Sequence, residues 1–543
     1  MEHAITQVLF LLLIAALVGL GAHRFKLPYT LALVLAGVGL GLFHFPLLEG
    51  VHLTPDLLLA IFLPALLFEA AWHVDLRRFT RDAQPILLLA VPGVAVALTV
   101  TAGVGWALLH AVGVAEFTLG AAFLFAAMIA ATDPISVLSL FKTLGVNRRL
   151  YLLVEGESLL NDGVAVVAFL IVAAVLGVAT GHGPSPELHG ASDIAIYALR
   201  TFLWMVGAGV VIGATLGLVA SVVTRQIDDR QVETALSFVL AYGSFLIAEE
   251  IHASGVLACV TAGVTLGSVG ARIGMSASTR VAVANFWEFM AFFSNSFVFL
   301  LVGIELDVGE LVGRGGLVLL IFLAVLAGRA ASVYGLMPLT RTMQIEPIPK
   351  RWSHVLFWGG LRGSLSMVLV IGLPLDYPAR HLLLLLVFGV VSISLFLQGL
   401  TVKPLLRRLG LGQPRALAEY DQARVTALGA RRALRELDEL EEHGALSAPQ
   451  AQKLREDYGR RRDEGEAEVA RLGGEAVDAV RLHEASLLLL AVEEEAIRHA
   501  AADGVVSGEA ADLALALLAE RREELLHSGH EQAAAHGEQK AEA

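Results

Sequence analysis

Thirteen apolar segments crowd the first 410 residues, and they constrain the fold more than any other feature of the chain. They run near 4–22, 28–45, 56–73, 84–111, 115–141, 149–178, 192–224, 230–252, 254–270, 282–306, 313–340, 351–376 and 380–408. Most approach or exceed the ~20 residues that a helix needs to cross a ~30 Å hydrocarbon core. In lipid only helices and closed barrels satisfy their own backbone. The segments therefore predict an all-α membrane protein with thirteen transmembrane helices. The loops support the count. Basic residues fall on every second loop, from Arg24 and Lys26, through Arg77, Arg78 and Arg81, to Lys403, Arg407 and Arg408 after the last span. The intervening loops hold only Arg314 and Arg380. This bias puts the basic loops and the C-terminus in the cytoplasm and the N-terminus outside. No basic stretch precedes the first apolar run, which predicts a retained span rather than a cleaved signal.

With 17% charged residues the chain is too polar to lie wholly in lipid. The pattern changes near residue 410, which divides a transmembrane domain, 1–410, from an acidic helical tail, 411–543. Of the formal net charge of −13, the tail carries −12, and nothing suggests nucleic-acid binding. Charged amphipathic helices are expected over 424–442 and 451–472, with a second pair over 484–500 and 509–526, as a soluble bundle serving dimerisation or sensing. His499, His527, His530 and His536 in that tail are candidates to titrate near neutral pH. The single cysteine, Cys259, excludes a disulfide framework and a cysteine metal site. Gly37, Gly39 and Gly41 have no preceding strand, so they read as close helix packing rather than a dinucleotide loop, as do Gly207, Gly209, Gly213 and Gly217. No nucleophile, base and orienting group stand out as a hydrolytic set, so an enzyme has little support.

The chemistry concentrates in Glu155-Gly156-Glu157-Ser158-Leu159-Leu160-Asn161-Asp162. Asp162 lies roughly 20 Å past Arg149 by helical rise, well inside the hydrocarbon. An acid there is a functional-site hypothesis by default. Ser158 and Asp162 are four residues apart, with Asn161 beside them, so hydroxyl, amide and carboxylate oxygens converge in a set suited to a hard cation. Glu155 and Glu157 fit a helix start as well. In Thr132-Asp133-Pro134, the proline removes a backbone donor and should break or kink the fifth span. Broken helices at mid-membrane expose carbonyls and helix ends to ions. Thr132 offers oxygen ligands, and Asp133 is expected to serve partly as a local cap.

Arg362, in Gly359-Gly360-Leu361-Arg362-Gly363, needs a carboxylate partner at its depth. Glu157 is the candidate, since Asp162 must stay free for cargo. Arg329 competes for the same partner. Glu69 in the third span is a further acid on the cytoplasmic half. Glu249, Glu250 and His252 read as interfacial. In the tenth span, which also holds Glu288, Asn295 is expected to bond between helices rather than to an ion.

These motifs, together with Phe292-Phe293-Ser294-Asn295-Ser296-Phe297-Val298-Phe299-Leu300-Leu301-Val302-Gly303, resemble those of the cation/proton antiporter-1 family, in the same order and across residues 1–410. The resemblance implies two inverted-topology repeats, a dimerisation domain with a mobile ion-carrying core, and a homodimer in the plasma membrane. It implies one-for-one electroneutral exchange of Na⁺, with Li⁺ as a further cargo, against H⁺, and no cofactor beyond the transported ions. It implies Asp162 as the shared cation and proton site, Ser158 and Thr132 as cation ligands, and Asn161 and Asp133 as holders of the unwound region. It also implies that Glu157 pairs with Arg362, and that Glu69 contacts the ion as in some members. Rival readings are a K⁺/H⁺ antiporter of the same fold, a cation channel, and a non-transporting membrane sensor that signals through the tail.

Overall fold

A chain this apolar must close its backbone hydrogen bonds within each segment, and helix does so locally. The computed structural model describes residues 2–25, 29–43, 61–178, 190–227, 229–305, 308–343, 348–411, 415–443 and 446–473, with scattered residues between 482 and 521. Among these residues there is no strand. The chain forms two compact units, Met1–Gly412 and Gln413–Ala543.

In the first unit, α1 (Glu2–Phe25), α2 (Tyr29–Leu42) and α3 (Leu63–Trp72) come first. Then follow α4 (Ala83–Ala111, interrupted at Val91 before Pro92), α5 (Leu119–Met128) and α6 (Ile135–Leu144). α7 (Arg148–Val175), α8 (Ala191–Thr224), α9 (Arg230–Glu250) and α10 (Gly255–Ile273) form the middle of the unit. It ends with α11 (Ala277–Glu305), α12 (Gly315–Met343), α13 (Lys350–Trp358), α14 (Ser364–Ile371) and α15 (Arg380–Arg408). Among the described residues, eight helices are long and apolar enough to cross a membrane unaided: α4, α7 to α12 and α15. The first part of the expected third span, residues 56–60, lies outside the described residues.

Two expected spans are broken outright. Residues 129–134 separate α5 from α6, and residues 359–363 separate α13 from α14. Pro134 explains the first break, because it cannot donate to the preceding turn. Three glycines in five residues explain the second, because they lower the cost of leaving the helix. The breaks cross: the Asp133 amide donates to the Leu361 carbonyl at 2.8 Å. Gly363 is required at this crossing, since a Cβ there would lie 2.9 Å from Asp133 Oδ2 and closer still to its Cβ.

Several of the other glycines pack as expected. Gly37 and Gly41 of α2 receive the backbone of α11 at Leu300, Gly303 and Ile304, and Gly209 and Gly213 of α8 receive that of α10 at Ser254 and Ala258, while Gly217 takes the Thr265 side chain. Gly39 and Gly207 meet nothing within 4 Å and play no such part. The left-handed Gly145 (φ 61°) ends α6, and the Asn147 side chain caps the start of α7 at 2.8 Å. There Arg149 grips Asp82 through bonds of 2.7 to 3.1 Å, joining the starts of α4 and α7.

The second unit contains an antiparallel hairpin of α16 (Arg415–Glu442) and α17 (Ala448–Leu472). Ser447 and Gln450 form a reciprocal cap at the start of α17. Gly465 admits the backbone of Ala423 and Ala427. Arg455 bonds Asp438 and Glu441, and Arg431 bonds Glu466. About half the residues of the expected helices over 484–500 and 509–526 are described, and those are helical, while His499, His527, His530 and His536 fall outside the described residues.

Candidate ion-binding site

The crossing of the broken helices brings four helix ends together, and each meets a complementary charge or dipole. α5 ends in unpaired carbonyls, and a cation is favoured there. Arg362 supplies it, donating to the carbonyls of Ile129 at 2.5 Å and Ala130 at 2.8 Å. α13 ends the same way, and Arg329 donates to the Leu356 carbonyl at 2.8 Å. At the opposite ends, Asp133 Oδ1 accepts from the Ile135 amide at the start of α6, at 3.0 Å, while its carboxylate also lies against Gly363 at the start of α14.

This arrangement corrects one expectation. Glu157 does not pair with Arg362. It makes a two-pronged ion pair with Arg329, Nη1 to Oε1 at 2.7 Å and Nη2 to Oε2 at 2.9 Å. Both residues are buried, Glu157 to 2% exposure and Arg329 to 6%. The physical reason lies in the break: freed carbonyls satisfy the guanidinium of Arg362, so it needs no carboxylate. Gly360 makes room for Arg329, whose Nε would lie 2.9 Å from a Cβ at that position.

Beside the crossing, α7 presents Ser158, Asn161 and Asp162. Ser158 Oγ donates to the Thr132 carbonyl, and Thr132 Oγ1 donates back to Ser158 Oγ at 3.1 Å. Asn161 Nδ2 donates to the Ala130 carbonyl at 3.1 Å and to Thr132 Oγ1 at 3.0 Å. These bonds hold the unwound stretch against α7. The carboxylate of Asp162 is different: its Oδ1 is buried without a hydrogen-bond partner. A buried polar atom left unpaired costs about 1–3 kcal/mol and calls for an explanation.

Asp162 opens into a cavity of about 320 Å³ that also holds Thr132, Ser158, Glu69, Glu155 and Asn295. The cavity reaches the surface at His73 and Lys142, both exposed. Thus Asp162, Ser158, Thr132 and Glu69 share one cavity, Asp133 lines it while capping α6, and Asn161, Glu157 and Arg362 stand behind it. Glu69 approaches His73 at 3.5 Å. Among the described residues, no group of three or more histidine, cysteine or acidic side chains is arranged to hold a resident metal.

Two supporting residues had escaped the sequence reading. Ser394 and Gln398 lie in a π-helical segment of α15. Ser394 Oγ accepts from the Arg362 amide at 3.0 Å and donates to Gln398 Oε1 at 2.6 Å, while Gln398 Nε2 bonds the Trp358 carbonyl at 3.2 Å. They satisfy backbone groups freed by the second break, as a discontinuous membrane helix requires. Their signal is two polar residues four apart in a largely apolar last span.

A pair of crossed, discontinuous helices beside a buried carboxylate defines a secondary ion transporter rather than an enzyme. The family described as "Sodium/hydrogen exchanger, transmembrane" matches residues 9–408, and the chain belongs to it. The Na(+)/H(+) antiporter ApNhaP of Aphanothece halophytica is 41% identical over 424 residues, covering 76% of this chain and 77% of its own. The Na(+)/H(+) antiporter NhaS2 of Synechocystis sp. is 33% identical over 541 residues, covering 95% of this chain and 93% of its own. In fold, the chain is similar to the sodium proton antiporter MjNhaP1 of Methanocaldococcus jannaschii, with a TM-score of 0.59 at 17% identity over 75% of this chain and 99% of that one.

Proposed function

We propose that this protein exchanges Na⁺, and also Li⁺, for H⁺ across the plasma membrane, one for one and without net charge movement. A single carboxylate, Asp162, takes either ion. The observation that carries this reading is Asp162 Oδ1, buried and unpartnered in a cavity that also holds the oxygens of Ser158 and Thr132. A charge in such a place is unstable unless neutralised. A proton does so by covalent attachment, and a cation does so with help from neighbouring oxygens, so binding one expels the other.

Charge accounting around the crossing supports electroneutrality. Arg329 and Arg362 oppose Glu157 and Asp133, which leaves the charge of Asp162 uncompensated. One monovalent cation or one proton neutralises Asp162 in turn, so a cycle that swaps one for the other moves no net charge. Asn161, next to Asp162, adds no second charge and is engaged in holding Thr132. The loaded site can then cross the membrane by rocking against the remaining helices, while the empty anion is held back.

The same reading takes thirteen crossings in two inverted repeats, with two of the crossings built from the half-helices α5/α6 and α13/α14. It places the cavity mouth, at His73 and Lys142, on the cytoplasmic side with the basic loops and the tail. It also takes a homodimer as the assembly.

The test is exchange by the purified full-length chain in liposomes. External Na⁺ should alkalinise an acid-loaded interior, indifferently to a clamped membrane potential, and Asp162→Asn should fold but exchange nothing. Robust exchange by that variant would refute the assignment. K⁺ in place of Na⁺ reads the rival cargo, and an inert wild-type chain would favour a sensor.

A further inference from the structure

The cavity at Asp162 has two walls. One is the helix crossing with α7, which carries Thr132, Ser158 and Asp162. The other is formed by α3 and α11, which pack on each other and contribute Glu69, Glu288 and Asn295. Glu288 and Asn295 are seven residues apart and lie on one face of α11, just as Glu155 and Asp162 lie on one face of α7.

Asn295 is out of place for an interhelical amide. It is 9% exposed, and its Oδ1 is fully buried with no hydrogen-bond partner. Its neighbour shows what a tethered side chain looks like here: Ser296 Oγ lies 2.7 Å from Tyr29 Oη and donates to the Phe292 carbonyl at 2.5 Å. The sequence pattern predicts that Asn295 bonds between helices; instead it lines the ion cavity, and its oxygen is uncommitted.

We propose that Asn295 is a further ligand of the transported cation, supplied through Oδ1 from the wall opposite Asp162. The inference rests on the exchange reading above and deepens it. An amide oxygen is a good ligand for a hard monovalent cation but is not protonated at neutral pH. Asn295 therefore favours the cation without helping the proton, and biases the competition at Asp162. It adds a neutral oxygen to Ser158 and Thr132, so the charge balance of the loaded site is unchanged.

The test is the Na⁺ dependence of exchange at fixed pH by the full-length chain in liposomes. Asn295→Ala should raise the apparent KM for Na⁺ about tenfold, with the wild-type maximal rate recovered at saturating Na⁺. Asn295→Asp, which keeps an oxygen in place, should hold KM at or below the wild-type value. If the alanine variant is poorly folded, Asn295→Leu fills the space without an oxygen and should show the same rise. An unchanged KM in Asn295→Ala or Asn295→Leu would overturn the inference, as would equal loss of maximal rate in the alanine and aspartate variants, which is the mark of a purely structural amide. These outcomes are judged in a protein whose wild type exchanges and whose Asp162→Asn does not, so failure here leaves the exchange reading standing. Exchange surviving in Asp162→Asn would remove both.

Discussion

Glu157 and Asp162 stand five residues apart on one helix, and the membrane treats them alike while their neighbours do not. Glu157 is locked between the two donor nitrogens of Arg329, so its charge is spent on joining α7 to α12. Asp162 keeps an unpaired oxygen and faces a cavity. Paired charge in lipid builds structure; unpaired charge waits for a mobile partner. The same contrast separates the crossing, where nearly every helix end is capped, from the cavity beside it, where oxygens of Asp162, Glu155 and Asn295 lack partners.

Substituting the two acids should break the protein in opposite ways. Asp162→Asn should abolish exchange with little loss of thermal stability. Glu157→Gln strands a buried guanidinium and should cost about 3–5 kcal/mol of stability, read as thermal unfolding in detergent. Replacing the pair together, Glu157→Leu with Arg329→Met, should restore much of that loss, though not the bond to Leu356. Next in size is Gly363→Ala, whose methyl would press on Asp133 at the crossing and should cost about 1–3 kcal/mol. Ser158→Ala removes one neutral oxygen and both bonds to Thr132, and should raise the apparent KM for Na⁺ about fivefold. Smallest is Arg455→Ala in the tail: its ion pairs to Asp438 and Glu441 are solvent-exposed, and their loss should change hairpin stability by under about 1 kcal/mol.

Much of this site can be read from residue chemistry alone, because lipid makes each polar group conspicuous. Asp162, Ser158, Thr132 and Asp133 stand out by depth, and Pro134 marks the first break. Pairing is harder to read. Arg362 demands a carboxylate only if its helix is whole, and the carbonyls that satisfy it exist because α5 ends at Met128. A sequence marks where a helix is weakened, not which donors the freed carbonyls will meet. The roles of Ser394 and Gln398 are hidden for the same reason, since their partners at Arg362 and Trp358 arise only from the second break. Asn295 departs from its expected interhelical bond because helical periodicity assigns a face but not whether a neighbour is waiting there.

The central claim is that one carboxylate serves both ions, and the direct measurement is the apparent KM for Na⁺ as a function of pH, in proteoliposomes with the membrane potential clamped. Competition at Asp162 predicts that KM rises about tenfold for each unit of falling pH on the acid limb, while the maximal rate holds steady. A KM that stays constant while the maximal rate falls with acid would mean that the proton binds elsewhere, and the account would be wrong.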